Sequence, residues 1–409
     1  MHDVILYVHV PFCSSKCHFC SWVSPIPVPE LVRAKSKFGT YAAAVIQEIR
    51  STAARLPRQS LRPKLIYFGG GTPSLLSGED LAGILNELHT QFPKDNSFLD
   101  TTIEMSPDTA TPEKLSTLLS AGFSRISFGV QSFNDRRAKS IGRAHSPETA
   151  IKAFSMARRA GFENVNIDLM IGFPEETQEE YKANVETALM LDPDHVSIYI
   201  YKKIPGTVMA KFIDTGKLKP CPQDTAVARY VRASEALARA GYSEYMFQLF
   251  HKRNKYCFVD YHYFHLSCDY IGFGQGAHTL LGSKTYAHTQ TLEQYLRRPG
   301  HNHSMKAADS ETLLETKLFE MMHTEGGINY QRFSERLQIS FDEAAAKSTF
   351  FRRAVEGVLA TQSVRATDTG MQINDRLPRI KWLSLPPHWD DTYTPVDGNP
   401  QLVSIQAAS

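Results

Sequence analysis

The chain has 409 residues, 42% of them hydrophobic, with 22 Pro and 24 Gly spread along it, which suffices for one large domain and a smaller one. A formal net charge of +2 gives no global electrostatic case for a nucleic-acid partner. No apolar run approaches membrane-spanning length and the N-terminus shows no signal-peptide pattern, so the expectation is a cytoplasmic monomer with no membrane partner.

Taken in order, the chain opens on a β-prone apolar run over residues 4–10 that ends at Pro11, the signature of a short buried strand. Cys13, Cys17 and Cys20 follow, with three and two residues between them. Cys221, Cys257 and Cys268 are scattered, so the six cysteines do not form a disulfide framework and favour metal binding. Three thiolates this close suit one compact soft-metal centre, either zinc or a cubane iron–sulfur cluster. Closed zinc needs a fourth ligand, for which His9 and His18 are at hand; a four-iron cluster leaves one iron open. A zinc knuckle, or cysteines with no common role, is the plain alternative.

Residues 21–37 read as a loop and 38–56 as a helix. Strand and helix signals then alternate. Strands are expected at 64–68, 101–105, 125–130, 164–171 and 195–201. Helices are expected from Ser77 to about 92, from Thr111-Pro112 to Gly122, at 146–160 and at 177–191. With the first, that makes six strands, most followed by a helix. Such βα repetition implies an α/β fold with a parallel sheet, whose right-handed crossovers curl it into a full or partial barrel. A further helix is expected at 223–241, and 242–290 reads as aromatic-rich and irregular. Past residue 305 helical patterns at 310–322, 330–337 and 341–358 precede a hairpin at 364–373. The resulting division is 1–300 for the barrel, 301–385 for a small helical or winged-helix domain, and 386–409 for a disordered tail.

Polar residues interrupt the strand ends, where such folds place their chemistry. Gly70-Gly71-Thr72-Pro73 follows the second strand, and bare backbone there admits a ligand or simply makes a tight turn. Glu104 sits inside an apolar strand and needs a cation or hydrogen-bond donors. Gln131 lies just past its strand, Arg143 in the loop before the next helix, and Asp168 within an apolar run. Singly each is as readily structural; together they form a polar ring at one barrel mouth.

The cysteine spacing, with Phe19 between the last two, resembles the radical S-adenosylmethionine (SAM) superfamily. The strand ends at 69–73, 104–107, 129–133 and 166–174 are similar to the subgroup typified by oxygen-independent coproporphyrinogen dehydrogenase. The resemblance covers roughly 4–290. It implies a six-stranded partial barrel and a [4Fe-4S] cluster on Cys13, Cys17 and Cys20. It also implies SAM contacts at Tyr7, Phe19, Gly70, Gly71, Thr72, Glu104, Gln131, Arg143, Asp168 and Lys202, and room for two SAM molecules. A flavodoxin or ferredoxin would supply electrons.

The chain departs from that pattern in its detail. The porphyrinogen dehydrogenase has an extra cysteine two positions past the third, where this chain has Trp22. Haem-chaperone relatives usually carry aspartate where Ser21 stands, and a His-Asn pair late in the chain, where 258–264 runs Phe-Val-Asp-Tyr-His-Tyr-Phe. The remaining branch, class C radical SAM methyltransferases and cyclopropanases, transfers a methyl or methylene group from a second SAM to an sp2 carbon of a natural-product intermediate. That transfer is the expectation, on a small unsaturated or aromatic substrate. Tyr199, Tyr201, Glu244 and His278 are its candidate acids and bases; each also has a plain structural reading. Oxidative decarboxylation of a porphyrinogen and a haem chaperone are the alternatives.

Overall fold

The computed structural model describes residues 2–21, 37–56, 60–264, 268–281, 284–288, 290–300, 303–306, 328–337, 339–340, 342–343, 346, 364–367 and 370–373. Strand β1 (His2–Val10) pairs in parallel with β2 (Leu61–Gly70), and the parallel ladder continues through β3 (Asp100–Met105), β4 (Arg125–Gln131), β5 (Asn164–Ile171) and β6 (His195–Ile200). The crossovers carry α1 (Phe38–Arg55), α2 (Gly78–Gln91), α3 (Pro112–Ala121), α4 (Asp135–Ser140) with α5 (Pro147–Ala160), and α6 (Gln178–Leu191). Their starts are chemically marked. Ser77, Thr111, Ser146 and Thr177 each accept a hydrogen bond from a first-turn backbone N–H, satisfying a donor that the helix leaves over. The expected α/β partial barrel is what the chain forms.

The sheet is wider than six strands and does not close. After α7 (Val208–Asp214) and α8 (Gln223–Arg239), β7 (Ser243–Met246) and β8 (Leu249–His251) form a hairpin whose β8 pairs antiparallel with β6. Helix α9 (Phe258–Phe264) leads to β9 (Asp269–Phe273), which pairs in parallel with β1. Strands β10 (His278–Leu281), β11 (Lys284–His288) and β12 (His303–Lys306) follow antiparallel, with α10 (Leu292–Arg297) before the last, making twelve strands in order 12-11-10-9-1-2-3-4-5-6-8-7. Residues 242–290, expected to be irregular, thus hold five short strands and the helix α9. Segments of three to five residues are too short to display an alternation of two, and take their hydrogen bonds from the sheet edges. The short α4 shows no helical apolar period, and α7, although Val208, Met209, Phe212 and Ile213 recur at helical spacing, spans too few residues to be expected.

Further on, α11 (Tyr330–Leu337) accompanies an antiparallel sheet of β13 (Ile328–Asn329), β15 (Gly370–Ile373) and β14 (Val364–Thr367). The helix expected at 310–322, almost all of that at 341–358, and the tail at 386–409 lie outside the described residues. Among the described residues no helix is long and apolar enough to cross a membrane.

Two apolar layers divide the sheet. Val4, Leu6 and Val8 of β1 pack outward against α1 and its neighbours, while Ile5 and Tyr7 face inward with Leu65 and Tyr67 of β2. One carboxylate breaks the outer layer. Glu48 of α1 is 1% exposed, accepts hydrogen bonds from Tyr295 Oη at 2.7 Å and Gly274 N at 2.8 Å, and contacts His288 Nε2 at 3.0 Å. Burial alone raises its pKa; His288 and the donors outweigh that and bring it below the usual value. Glu48 therefore fastens α1 to the turn after β9, to β11 and to α10. Glu48→Ala leaves these donors unpaired and costs about 3–5 kcal/mol of unfolding free energy, read by denaturant titration; a loss within error of zero contradicts this role.

Candidate functional site

The β1–β2 ladder does not stop with the strands. Gly71 N donates to Val10 O at 2.8 Å and Thr72 N to Phe12 O at 2.6 Å, so the two chain segments leave the sheet side by side. A Cβ at Gly71 would stand 2.5 Å from the Phe12 carbonyl oxygen, so only glycine permits the approach. Thr72 Oγ1 lies 3.7 Å from Cys13 Sγ. The rest of the cysteine loop is clamped by its neighbours. His18 N donates to Ile141 O at 2.9 Å, Met209 N to His18 O at 2.8 Å, and Ser15 Oγ to Gly142 O at 2.9 Å. Arg143 bridges outward from this clamp, donating from Nη2 to Gly129 O and from Nη1 to Cys17 Sγ at 3.2 Å. Phe19 is 6% exposed, 5.9 Å from the Phe173 ring, in an apolar group that Cys17, Cys20, Tyr199 and Tyr201 flank.

These residues fit a thiolate-bound cluster. The three thiols share one loop, and a guanidinium and a hydroxyl aim at two of them, as donors to ligating sulfurs do.

Beside the thiols the strand ends converge. Glu104 accepts from Tyr67 Oη at 2.6 Å and Gly70 N at 3.2 Å. Burial pushes its pKa up to about 8, with Asp168 adding to the rise, against the two hydrogen bonds. Asp168 is 2% exposed and accepts from Ser127 Oγ at 3.0 Å and Asn166 Nδ2 at 2.7 Å; burial raises it as well. Gln131 is buried in the left-handed region, φ 68°. Among the described residues its Oε1 and Arg143 Nε are buried with no hydrogen-bond partner. Buried atoms of this kind are satisfied by a polar ligand. Two carboxylates, an amide and a guanidinium around one mouth suit a ligand carrying both a cation and a carboxylate.

Inside the sheet an aromatic ladder crosses four strands. Tyr7 stacks on Tyr67 at 6.1 Å and on Tyr270 at 5.4 Å, and Tyr270 stacks on His278 at 5.1 Å, with ring planes 20–30° apart. The Tyr7 hydroxyl is 3.0 Å from His9 Nδ1.

The candidate acids and bases divide. Tyr201, just past β6, lies 5.5 Å from Phe173, and burial pushes its hydroxyl up to about 12. Tyr199 borders both the interior layer and the cysteine-loop group. His278 sits on the ladder. Glu244 is placed elsewhere: on β7 it faces away from its neighbour Tyr245, accepting hydrogen bonds from Tyr230 Oη of α8 and from Gln248 N. Lys202 is exposed just beyond β6. Tyr67, Ser127, Asn166 and His195 were not singled out in the sequence. Asn166 had a legible signal, being two residues before Asp168 and so on the same strand face.

A family model described as "Radical SAM superfamily" matches residues 7–188. The "Heme chaperone HemW" of Bacillus subtilis is 30% identical over 344 residues, covering 82% of this chain and 87% of that protein. The "Oxygen-independent coproporphyrinogen III oxidase" of Pseudomonas aeruginosa is 27% identical over 395 residues, covering 89% and 83%. The solved coproporphyrinogen III oxidase of Escherichia coli superposes with a TM-score of 0.75 at 22% identity, covering 93% of this chain and 89% of that one, which is a likeness of fold.

These relatives correct the expected activity. Transfer of a methyl or methylene group to a natural-product intermediate rested on departures such as Ser21 and Trp22 beside the cysteines. The relatives share most of the chain and are a haem chaperone and a porphyrinogen oxidase, so a few substitutions near one loop do not define a methyltransferase. The chain belongs to the radical SAM superfamily, in the branch of the haem chaperones and the oxygen-independent coproporphyrinogen III oxidases, a family that uses a [4Fe-4S] cluster and SAM.

Proposed function

We propose that this chain is a haem-chaperone-type radical SAM protein that holds a cluster on Cys13, Cys17 and Cys20, binds SAM at the polar ring, and takes a tetrapyrrole. The observation that carries the tetrapyrrole is the aromatic ladder Tyr67–Tyr7–Tyr270–His278, a wall suited to a flat conjugated ligand, in a chain whose relatives handle haem or its precursor. Trp22 in place of the oxidase's extra cysteine favours the chaperone over the oxidase. Lys16, exposed within the cysteine loop, and Lys211, on the helix whose Met209 N bonds His18 O, suit an acidic electron donor of the flavodoxin or ferredoxin kind.

When bound, the cluster supplies one electron to the SAM sulfonium. The chain's own part is orientation. Glu104 and Asp168 would hold the cationic end of SAM, Arg143 and Gln131 its polar groups, and Phe19 with Phe173 would keep water from the loop. Glu104 holds a proton at neutral pH in the empty site, because its carboxyl titrates near 8. A cationic ligand favours the ionised form, so SAM binding at pH 7 releases part of a proton per chain. Calorimetry in buffers of different ionisation enthalpy reads this release; Glu104→Gln abolishes it, and equal binding enthalpies for the wild type in all buffers contradict it.

The functional test is a haem titration of anaerobically reconstituted protein, with 5′-deoxyadenosine measured in parallel. Stoichiometric haem uptake with little SAM consumption is the expected result. Decarboxylation of a porphyrinogen coupled to deoxyadenosine release favours the oxidase, and absence of haem binding overturns the proposal.

A further inference from the structure

A continuous set of buried hydrogen bonds runs from Asp168 to the far side of the barrel interior. The parallel register sets Ser127 beside Asn166 and Asn166 beside His195, and sets Asp168 beside Ser197 one step nearer the mouth. Asn166 Nδ2 donates to Asp168 Oδ1 and to Ser127 Oγ, each at 2.7 Å, and Ser127 Oγ donates to Asp168 Oδ2 at 3.0 Å. Asn166 Oδ1 lies 2.7 Å from His195 Nδ1, and His195 Nε2 lies 2.9 Å from Tyr245 Oη. Tyr245 Oη accepts from Cys257 N at 3.0 Å.

The directions of these bonds follow from one another. A carboxylate only accepts, so the Asn166 amide nitrogen faces Asp168 and its oxygen faces His195. His195 Nδ1 is therefore the donor. Burial, with Arg125 and His251 nearby, keeps the imidazole neutral, so Nε2 carries no proton and accepts from the Tyr245 hydroxyl. Every donor in the row points toward Asp168. Ser127, Asn166, His195, Ser197 and Tyr245 are each at most 4% exposed, so no water competes for these bonds.

We propose that Asn166 and His195 are positioning residues for SAM, holding and orienting the Asp168 carboxylate through a one-way hydrogen-bond row anchored at Tyr245 and the Cys257 amide. This rests on the reading of Asp168 as a SAM contact. Asn166 fixes one carboxylate oxygen directly and the other through Ser127. His195 and Tyr245 fix the Asn166 amide so that it does not flip and present its oxygen to the carboxylate. Hydrogen bonds along such a row strengthen one another in a dry interior.

The test is a double-mutant cycle on the anaerobically reconstituted full chain, reading SAM dissociation constants by equilibrium dialysis and cluster content by iron analysis. Asp168→Asn weakens SAM. His195→Phe weakens it by up to about tenfold, the upper end of what one neutral hydrogen bond contributes, with cluster content unchanged. In the Asp168→Asn background the same replacement has an effect below about twofold, and His195→Gln, which keeps a donor, recovers most of the affinity in the wild-type background. Tyr245→Phe preserves volume and serves if His195→Phe does not fold; it carries a smaller loss that also vanishes in the Asp168→Asn background. Equal losses in both backgrounds overturn the proposal, because His195 then acts on the fold and not through Asp168. An unchanged SAM affinity in Asp168→Asn removes the contact itself and overturns the reading on which the proposal rests.

Discussion

The bonds from Gly71 N to Val10 O and from Thr72 N to Phe12 O are the constraint on which the site depends. They carry the β1–β2 pairing past the sheet and hold the cysteine loop against the glycine turn. Without them the Cys13 end of the loop would lose its anchor to the sheet, and only the clamps at Ser15, Cys17 and His18 would remain. With them, Thr72 reaches Cys13, and the cysteine loop presses against the segment after β4 closely enough for Arg143 to reach Cys17. A parallel sheet suits this purpose because every strand delivers its C-terminal end to the same side. Glu104 of β3, Gln131 of β4 and Asp168 of β5 then arrive beside the thiols with no further device.

The interior of the sheet has two characters. Toward β2, β1, β9 and β10 it is aromatic, through Tyr67, Tyr7, Tyr270 and His278. Toward β4, β5 and β6 it is polar, through Ser127, Asn166, Asp168 and His195. The polar half offers fixed donors and charges to a zwitterionic cofactor; the aromatic half offers dispersion contacts and an apolar wall to a flat substrate. The outer face, tied down by Glu48, keeps α1 and the turn at Gly274 in place behind β1, so both halves rest on one rigid strand.

Much of this was legible in the sequence because it is local. The capping residues Ser77, Thr111, Ser146 and Thr177 announce their helices, and the six long strands show as apolar runs. The cysteine triplet and the polar breaks at Glu104, Gln131 and Asp168 stand out against those runs. What escaped is set by register across strands. Asn166 touches His195 because β5 and β6 pair at those positions, and no spacing within one strand encodes that pairing. Glu244 looked like a candidate base beside the aromatic stretch, yet the alternation of a four-residue strand turns it to the opposite face from Tyr245. The strands β7 to β12, which flank the parallel ladder, are too short to declare themselves. The branch of the family is carried by the whole barrel and not by the few residues beside the cysteines, which vary within it.

The central claim is that three clamped thiolates and the adjacent polar ring form one site, where cluster and SAM meet. Its most direct measurement is the electron paramagnetic resonance spectrum of the reconstituted, reduced protein with and without SAM. The account predicts a spectrum of a reduced four-iron cluster whose signal changes when SAM is added, and loss of that signal in Cys17→Ala. A cluster spectrum that SAM leaves untouched, or a protein that takes up zinc and no iron–sulfur cluster, would contradict it.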